Sequence, residues 1–456
     1  MKLNRYLLLC VIVTSLGGLL FGFDTAVISG TEKALQRLFH LSGFWHGFTV
    51  ASALIGTVIG SLVASYPADR WGRRLTLIVI AILYFVSAVG SALAWDWYSL
   101  VFFRFIGGLA VGGASVVAPM YIAEISPPQW RGRLVAIVQF NIVFGILLAF
   151  FSNFCVTLFN LGDLEWRWML GVEAFPAAVF WLLLYLTPQS PRWLVVCGRD
   201  QEAVDVFVKL GVPPQEAQEL VSEIRSGLER TNGNEPLFCP RYMRLVLLAL
   251  AIAAFNQLSG INAILYYAPR IFQMAGAGKY TAFLQSVAVG GTNLIFTMLA
   301  MSVIDRFGRK FLMLVGSIGY ILSLSAVATA FYIYGAQFDT FGNIVVLVSL
   351  IVFIASHAFG QGAVIWVFIS EIFPNTVRAK GQALGSFTHW FMCAVISWTF
   401  PVIAEQSGGH AFAFYAAMMV LQLLWVIFIM PETKGIPLEE IEQRLLTKRS
   451  RSSQPV

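Results

Sequence analysis

Two ionisable side chains of opposite sign, Asp24 and Arg104, stand inside long apolar stretches of this chain. A charge placed in hydrocarbon costs about 3 kcal/mol or more unless it is paired or hydrated, so each of them demands a partner. Two readings follow. In one, Asp24 exchanges a proton: ionised, it bridges to Arg104, and protonated, it lets go. In the other, the two residues form a fixed ion pair that stitches one helix to the next. Glu173 is a weaker candidate for the same proton chemistry, or is simply solvated near the outer end of its stretch. No nucleophile–base pair or metal-ligand spacing occurs in the apolar stretches, so neither covalent catalysis nor a bound metal is expected. The five cysteines are scattered, and structural disulfides are not expected.

Membrane helices must position these residues. The 456 residues are 58% hydrophobic and 12% charged, outside the range of soluble proteins. Apolar runs of about twenty residues recur, the length that crosses a hydrocarbon core. Twelve spans are assigned, at 7–28, 47–66, 75–94, 98–120, 134–158, 167–187, 243–268, 280–303, 311–334, 343–370, 381–404 and 411–430. Backbone polar groups in lipid must be satisfied within the segment, and the runs are too long for barrel strands, so each span is a helix. The first span begins a few residues into the chain, is too long for the apolar region of a signal peptide, and is expected to be retained. Most of the 30 lysines and arginines fall on the side that carries the amino terminus, which the positive-inside rule makes cytoplasmic. An even number of spans then makes the carboxyl terminus cytoplasmic as well. The net charge of +6 reflects this bias and gives no reason to expect nucleic acid.

Residues 188–242 are polar and contain two helical stretches separated by Pro213-Pro214. Ala217, Leu220, Val221, Ile224 and Leu228 share one face of the second, the pattern of a short helix lying against a larger body. The expected organisation is an N-terminal six-helix bundle at 1–187, a cytoplasmic linker with short helices at 188–242, a C-terminal six-helix bundle at 243–430 and a charged cytoplasmic tail at 431–456.

The loops repeat. Asp69-Arg70-Trp71-Gly72-Arg73-Arg74 recurs as Asp305-Arg306-Phe307-Gly308-Arg309-Lys310, and Glu124-Ile125-Ser126-Pro127 with Arg131 recurs as Glu371-Ile372-Phe373-Pro374 with Arg378 at the same spacing. Long-offset repeats in a membrane protein imply two similar bundles with the working site at their interface. Asp69 with Arg73 and Arg74, Glu124 with Arg131, and their counterparts Asp305, Arg309, Glu371 and Arg378 are expected to bridge helix ends and form a cytoplasmic gate. One exposed pair contributes little, but a network closing two bundles biases a two-state equilibrium. Plain positive-inside anchoring would explain the basic residues without the matched acids. Gly56-x-x-x-Gly60 and Gly108-x-x-x-Gly112 suit close helix packing.

With Pro188-Gln189-Ser190-Pro191-Arg192-Trp193, Gln257-Leu258-Ser259-Gly260-Ile261-Asn262 and Pro431-Glu432-Thr433-Lys434-Gly435, these motifs span nearly the whole chain in order. Together they resemble the sugar porter family of the major facilitator superfamily. The segment from Phe21 to Gly30 is especially similar to bacterial xylose–proton symporters. The resemblance implies an all-α fold of twelve transmembrane helices in two pseudo-symmetric bundles. It also places a proton-coupling aspartate and its arginine on Asp24 and Arg104, whereas passive glucose facilitators usually lack that acid.

A sugar asks for uncharged hydrogen-bonding side chains in a water-filled cavity and an aromatic face for the C–H side of its ring. Gln139, Gln257, Asn262, Asn293 and Trp366 answer that demand. The resemblance places all five on the substrate cavity and adds Tyr266, Gly362 and Trp390. The competing reading is that amides in membrane helices hold helices together. Three departures from the family stand out. Asn256-Gln257 replaces a glutamine pair. His389 stands beside Trp390 where xylose symporters have glutamine and facilitators asparagine. The run from Gly360 to Trp366 lacks the proline that usually follows the glycine, which puts the bend of the tenth helix in question. Asn256 and His389 are counted with the cavity, His389 as a neutral lining residue rather than a pH sensor. The segment from Asn262 to Pro269 marks a broken seventh helix.

The function these features imply is uptake of a monosaccharide, a pentose or hexose, with inward proton flow, by alternating access. The proton is the only co-transported ion expected and no cofactor is called for. A passive uniporter is the rival within transport, and Asp24 separates the two. A transporter-like sugar receptor is a rival of another kind, disfavoured by the short stretch after Pro431. An enzyme is the most distant alternative. The expected setting is the cytoplasmic (inner) membrane, multi-pass and surrounded by lipid, as a monomer, because each chain contains a full pathway.

Overall fold

The computed structural model describes residues 4–127, 129–230, 235–335, 337–374 and 376–434, with backbone alone at 228–230 and 406. The expected tail beyond Lys434, Gly435 included, lies outside the described residues. Twelve helices among these are long and apolar enough to cross a membrane. They are α1 (Arg5–Gly30), α2 (Gly43–Val63), α3 (Arg73–Ala92), α4 (Trp97–Ile125), α5 (Arg131–Leu158), α6 (Gly162–Leu186), α7 (Met243–Tyr266), α8 (Lys279–Phe307), α9 (Arg309–Tyr334), α10 (Thr340–Ile372), α11 (Arg378–Glu405) and α12 (Gly408–Phe428). Each of the twelve expected spans coincides with one of them, because hydrocarbon leaves the backbone no alternative to a helix.

The chain divides into two compact units. The first comprises Met1–His40 and Thr49–Asn232, the second Leu41–Phe48 and Gly233–Val456. In the first unit, α2 and α4 meet backbone to backbone. A side-chain carbon at Gly108 would lie 1.8 Å from the Ala53 carbonyl oxygen, and one at Gly112 would lie 2.2 Å from that of Thr57. The small residues are therefore required by close approach. The segment after α6 holds three helices, Pro191–Val196, Asp200–Lys209 and Pro214–Arg230, one more than the sequence pattern indicates. The additional one is short and capped by Ser190, whose hydroxyl accepts from Trp193 N–H, with Pro191 in its first turn. Ala203, Phe207, Ala217 and Val221 from these helices are buried in the core of the first unit, as their spacing on one face requires.

In the second unit, α7 is broken by Gly260, which takes a left-handed φ of +82°. The chain resumes as Ile261–Tyr266 and then Ala268–Met274. Helix α10 is broken at Gly360, with φ −94° and ψ −100°, although no proline stands there. The absence of a side chain does what the ring does elsewhere: a carbon on Gly360 would sit 3.0 Å from Gly316 Cα of α9 and 2.9 Å from the Ser356 carbonyl. Residues 41–48 belong to this unit through Trp398, whose indole donates to the Phe44 carbonyl at 3.1 Å.

Candidate functional site

The charged pair comes together as the sequence suggested. Arg104 Nη1 of α4 donates to Asp24 Oδ1 of α1 at 2.5 Å, and the two side chains are 3% and 4% exposed. Glu173 is not solvated. It falls at the interruption of α6 between Glu165–Gly171 and Ala174–Leu183, and that break turns it inward to 3% exposure. Its Oε1 has no hydrogen-bond partner, and it interacts with Asp24. Tyr84 of α3 completes the cluster. Its buried hydroxyl is unpartnered and lies within electrostatic reach of both carboxyls. Sequence reasoning passed over Tyr84 because one tyrosine in an apolar helix carries no signal of its own.

The repeated loops build the same clamp twice. Gly72 (φ +88°) precedes α3 and Gly308 (φ +91°) precedes α9, and this left-handed turn folds the next arginine back over its own helix start. Arg73 therefore reaches Glu124 (2.9 Å), Asp69 (3.1 Å) and the Ala68 carbonyl (3.0 Å). Arg309 reaches Glu371 (2.7 Å), Asp305 (3.1 Å) and the Ile304 carbonyl (3.3 Å). Each glutamate also accepts a hydroxyl, Glu124 from Ser190 and Glu371 from Thr433. Both carboxylates are thus occupied, and the expected pairs Glu124–Arg131 and Glu371–Arg378 do not form. Arg378 Nε instead donates to the Phe373 carbonyl (3.2 Å), and Arg74 donates to the carbonyls of Leu184 and Tyr185.

Glu432 lies in front of α9. Its carboxylate accepts from the backbone N–H groups of Arg309 (3.0 Å), Lys310 (2.9 Å), Thr433 (2.9 Å) and Lys434 (3.0 Å). Desolvation alone would push its pKa upward. The four backbone donors together outweigh it and hold the carboxyl below its ordinary value.

The amide residues converge in the second unit. Asn262 Nδ2 donates to Gln257 Oε1 at 2.8 Å, and Gln257 Nε2 donates to Asn256 Oδ1 at 2.9 Å. His389 of α11 stands with Nδ1 3.3 Å from Gln257 Nε2. Its ring centroid lies 5.0 Å from that of Trp366 and 4.9 Å from that of Trp390. Trp366 is 40% exposed, a large aromatic surface left uncovered, while Trp390 and Tyr266 are buried. Asn293 of α8 is buried and accepts from Thr297 at 3.5 Å, outside this amide chain. Gln139 is on α5 of the first unit and partly exposed.

A second polar chain escaped the sequence reading. Tyr320 of α9, His357 and Gln361 on either side of the α10 break, Gln422 of α12 and Ser317 of α9 are linked in series. Its members are scattered over three helices, and no spacing rule marks them as neighbours.

Comparison with known proteins follows the same lines. The family described as "Sugar (and other) transporter" matches residues 10–445. The D-xylose-proton symporter of Escherichia coli is 38% identical, covering 96% of each chain. The arabinose-proton symporter of Bacillus subtilis is 35% identical, covering 96% of this chain and 95% of its own. The solved structure of the E. coli xylose transporter XylE, in a partially occluded inward-open conformation, superposes with a TM-score of 0.85 at 36% identity, covering 95% of this chain and all of that one.

Proposed function

Because the chain belongs to the sugar transporter family, we propose that it takes up a xylose- or glucose-like monosaccharide together with a proton, by alternating access of its two bundles. It is a multi-pass membrane transporter and not an enzyme. The observation that carries the coupling is the dry Asp24–Arg104 contact with Glu173 against it. Two carboxyls and one guanidinium reach charge balance when one proton is held between them. Taking up that proton weakens the grip of Asp24 on Arg104, and releasing it restores the pair, so protonation is tied to which helices are joined.

The amide cluster Asn256–Gln257–Asn262 with His389, Trp366 and Trp390 is the proposed sugar site in the second unit, with Tyr266, Gly362 and Asn293 as further lining, and Gln139 of α5 is proposed as a further sugar-binding residue. The clamps on Glu124 and Glu371, with Asp69, Arg74, Arg131, Asp305 and Arg378 around them, serve as the cytoplasmic gate. Both termini lie in the cytoplasm, as the lysine and arginine distribution supports. Bundles at 1–187 and 243–430, a linker at 188–242, a tail at 431–456 and a monomer in lipid complete the proposal. The test is D-xylose uptake into proteoliposomes with and without an inward proton gradient. Accumulation above equilibrium only with the gradient supports symport, and equilibration alone under both conditions leaves a passive carrier.

A further inference from the structure

We propose that His357 is a sugar-contacting residue whose imidazole offers an unprotonated Nε2 to a hydroxyl of the bound monosaccharide, in a tautomer fixed by the chain Tyr320–Gln361–Gln422–Ser317. This rests on the transport reading above and adds a specificity determinant to it.

The polarity of the chain is anchored at one end by a group that can only accept. Ser317 Oγ donates to the Met313 carbonyl at 2.7 Å, so its oxygen is left to receive from Gln422 Nε2 at 2.8 Å. Gln422 then turns its Oε1 to Gln361, whose Nε2 must donate to it. Gln361 in turn presents Oε1 to the Tyr320 hydroxyl, 3.1 Å away. The single proton of Tyr320 is thereby committed. His357 Nδ1, 2.5 Å from the same oxygen, must carry a hydrogen and donate it. A neutral imidazole has one N–H, so Nε2 is left with a bare lone pair. Ser317, Tyr320, Gln361 and Gln422 are each 0% exposed, so water cannot substitute for any link and reversing one would strand a buried group.

Nε2 itself is not enclosed. Its ring edge occupies the space above Gly362, where a side-chain carbon would stand 3.3 Å from Cδ2 and 3.4 Å from Nε2. Among the described residues nothing hydrogen-bonds to Nε2. His357 is partly exposed, and its imidazole is within electrostatic reach of His389. Gly362, beside which this ring edge lies, is itself one of the residues of the proposed sugar site, and the proposal places Nε2 toward that site. There Asn262 Nδ2 is committed to Gln257 Oε1 and Gln257 Nε2 to Asn256 Oδ1, and His357 adds a further acceptor to the polar groups of the cluster.

The test uses purified full-length protein, D-xylose and its monodeoxy analogues. In wild type, removing the hydroxyl that donates to His357 should weaken binding roughly three- to tenfold. His357→Phe should lower D-xylose affinity by a similar factor and abolish the penalty at that one hydroxyl while leaving the others. If every deoxy penalty persists in His357→Phe, the residue does not touch sugar and the proposal fails alone. If wild type binds no monosaccharide, this proposal and the transport reading fall together. Should His357→Phe not fold, nitrogen NMR of histidine-labelled wild type decides directly. The proton of His357 is expected on Nδ1, and Tyr320→Phe should let it redistribute and should weaken D-xylose binding. A wild-type proton on Nε2, or a Tyr320→Phe spectrum unchanged from wild type, overturns the assignment.

Discussion

Ser190 and Thr433 are equivalent residues of the two halves: each donates its hydroxyl to the glutamate that its own unit's arginine grips, Ser190 to Glu124 at 2.5 Å and Thr433 to Glu371 at 2.6 Å. The residues before them are equivalent too. A side-chain carbon on Gly72 would meet Gln189 Oε1 at 2.7 Å, and one on Gly308 would meet Glu432 Oε2 at 2.7 Å. The repeat therefore extends beyond the loop motifs into the segments that follow α6 and α12, with one difference. Glu432 is a carboxylate saturated by backbone donors, whereas the neutral Gln189 leaves Oε1 unpartnered.

Hydroxyl donors to charged groups contribute about 1.5–3 kcal/mol. Ser190→Ala and Thr433→Val are each expected to lower the apparent melting temperature of the purified protein. The two clamps share no partner, so the double variant should lose the sum of the two. Thermal unfolding of the three variants checks this, and a double variant no worse than either single one would contradict it.

Glu432→Gln should destabilise by about 1 kcal/mol, the scale of losing a charged group at a helix start. The pH dependence has a definite sign. A carboxyl whose pKa is depressed on folding contributes stability that is present above its unfolded value and lost as pH falls through the folded one. The gap between wild type and Glu432→Gln should hold from neutral pH down to the ordinary carboxylate range and close only below it. Melting scans across pH measure it. A gap that opened on acidification would have the wrong sign.

Asp24→Asn keeps the shape and neutrality of the protonated side chain but has no proton to release. Gradient-driven accumulation should be abolished while sugar binding and sugar-for-sugar exchange persist. Uptake and counterflow in the same vesicles separate the two. Continued accumulation would move the proton site to Glu173, which lies against the pair.

Alanine at Gln139, Gln257, Asn262 or Trp366 should reduce sugar affinity by about 1–3 kcal/mol, roughly five- to hundredfold, without loss of folded protein. Equilibrium binding decides it, and normal binding in three of the four would mean that the cavity is misassigned. Gln257 should be the most sensitive, since its loss also releases Asn256, Asn262 and His389.

The twelve helices were legible because length and apolarity suffice where lipid forbids every other backbone. The Asp24–Arg104 pair was legible because two isolated charges in hydrocarbon have no other refuge. The pairing of the loop glutamates was not. Spacing allows Arg131 as readily as Arg73 to reach Glu124, and only the left-handed turn at Gly72 decides between them. The burial of Glu173 follows from an interruption of α6 that Gly171 and Pro176 flank, since Pro176 has no N–H to give the Val172 carbonyl four residues back, but their positions alone do not say which way Glu173 turns. The His389–Gln257 contact joins α11 to α7, a proximity that no linear spacing encodes.

The bend of α10 is made by Gly360, and Ala363 stands where a proline would otherwise follow Gly362. Proline abolishes a backbone donor permanently, so a bend that depends on its ring is fixed covalently. Here the N–H of Ala363 survives. The chain keeps one more hydrogen to give at the break, and the bend costs only what the neighbouring side chains supply to hold it. No proline ring therefore stands in the way of a continuous ladder through this joint, and what holds the bend is packing rather than covalent structure.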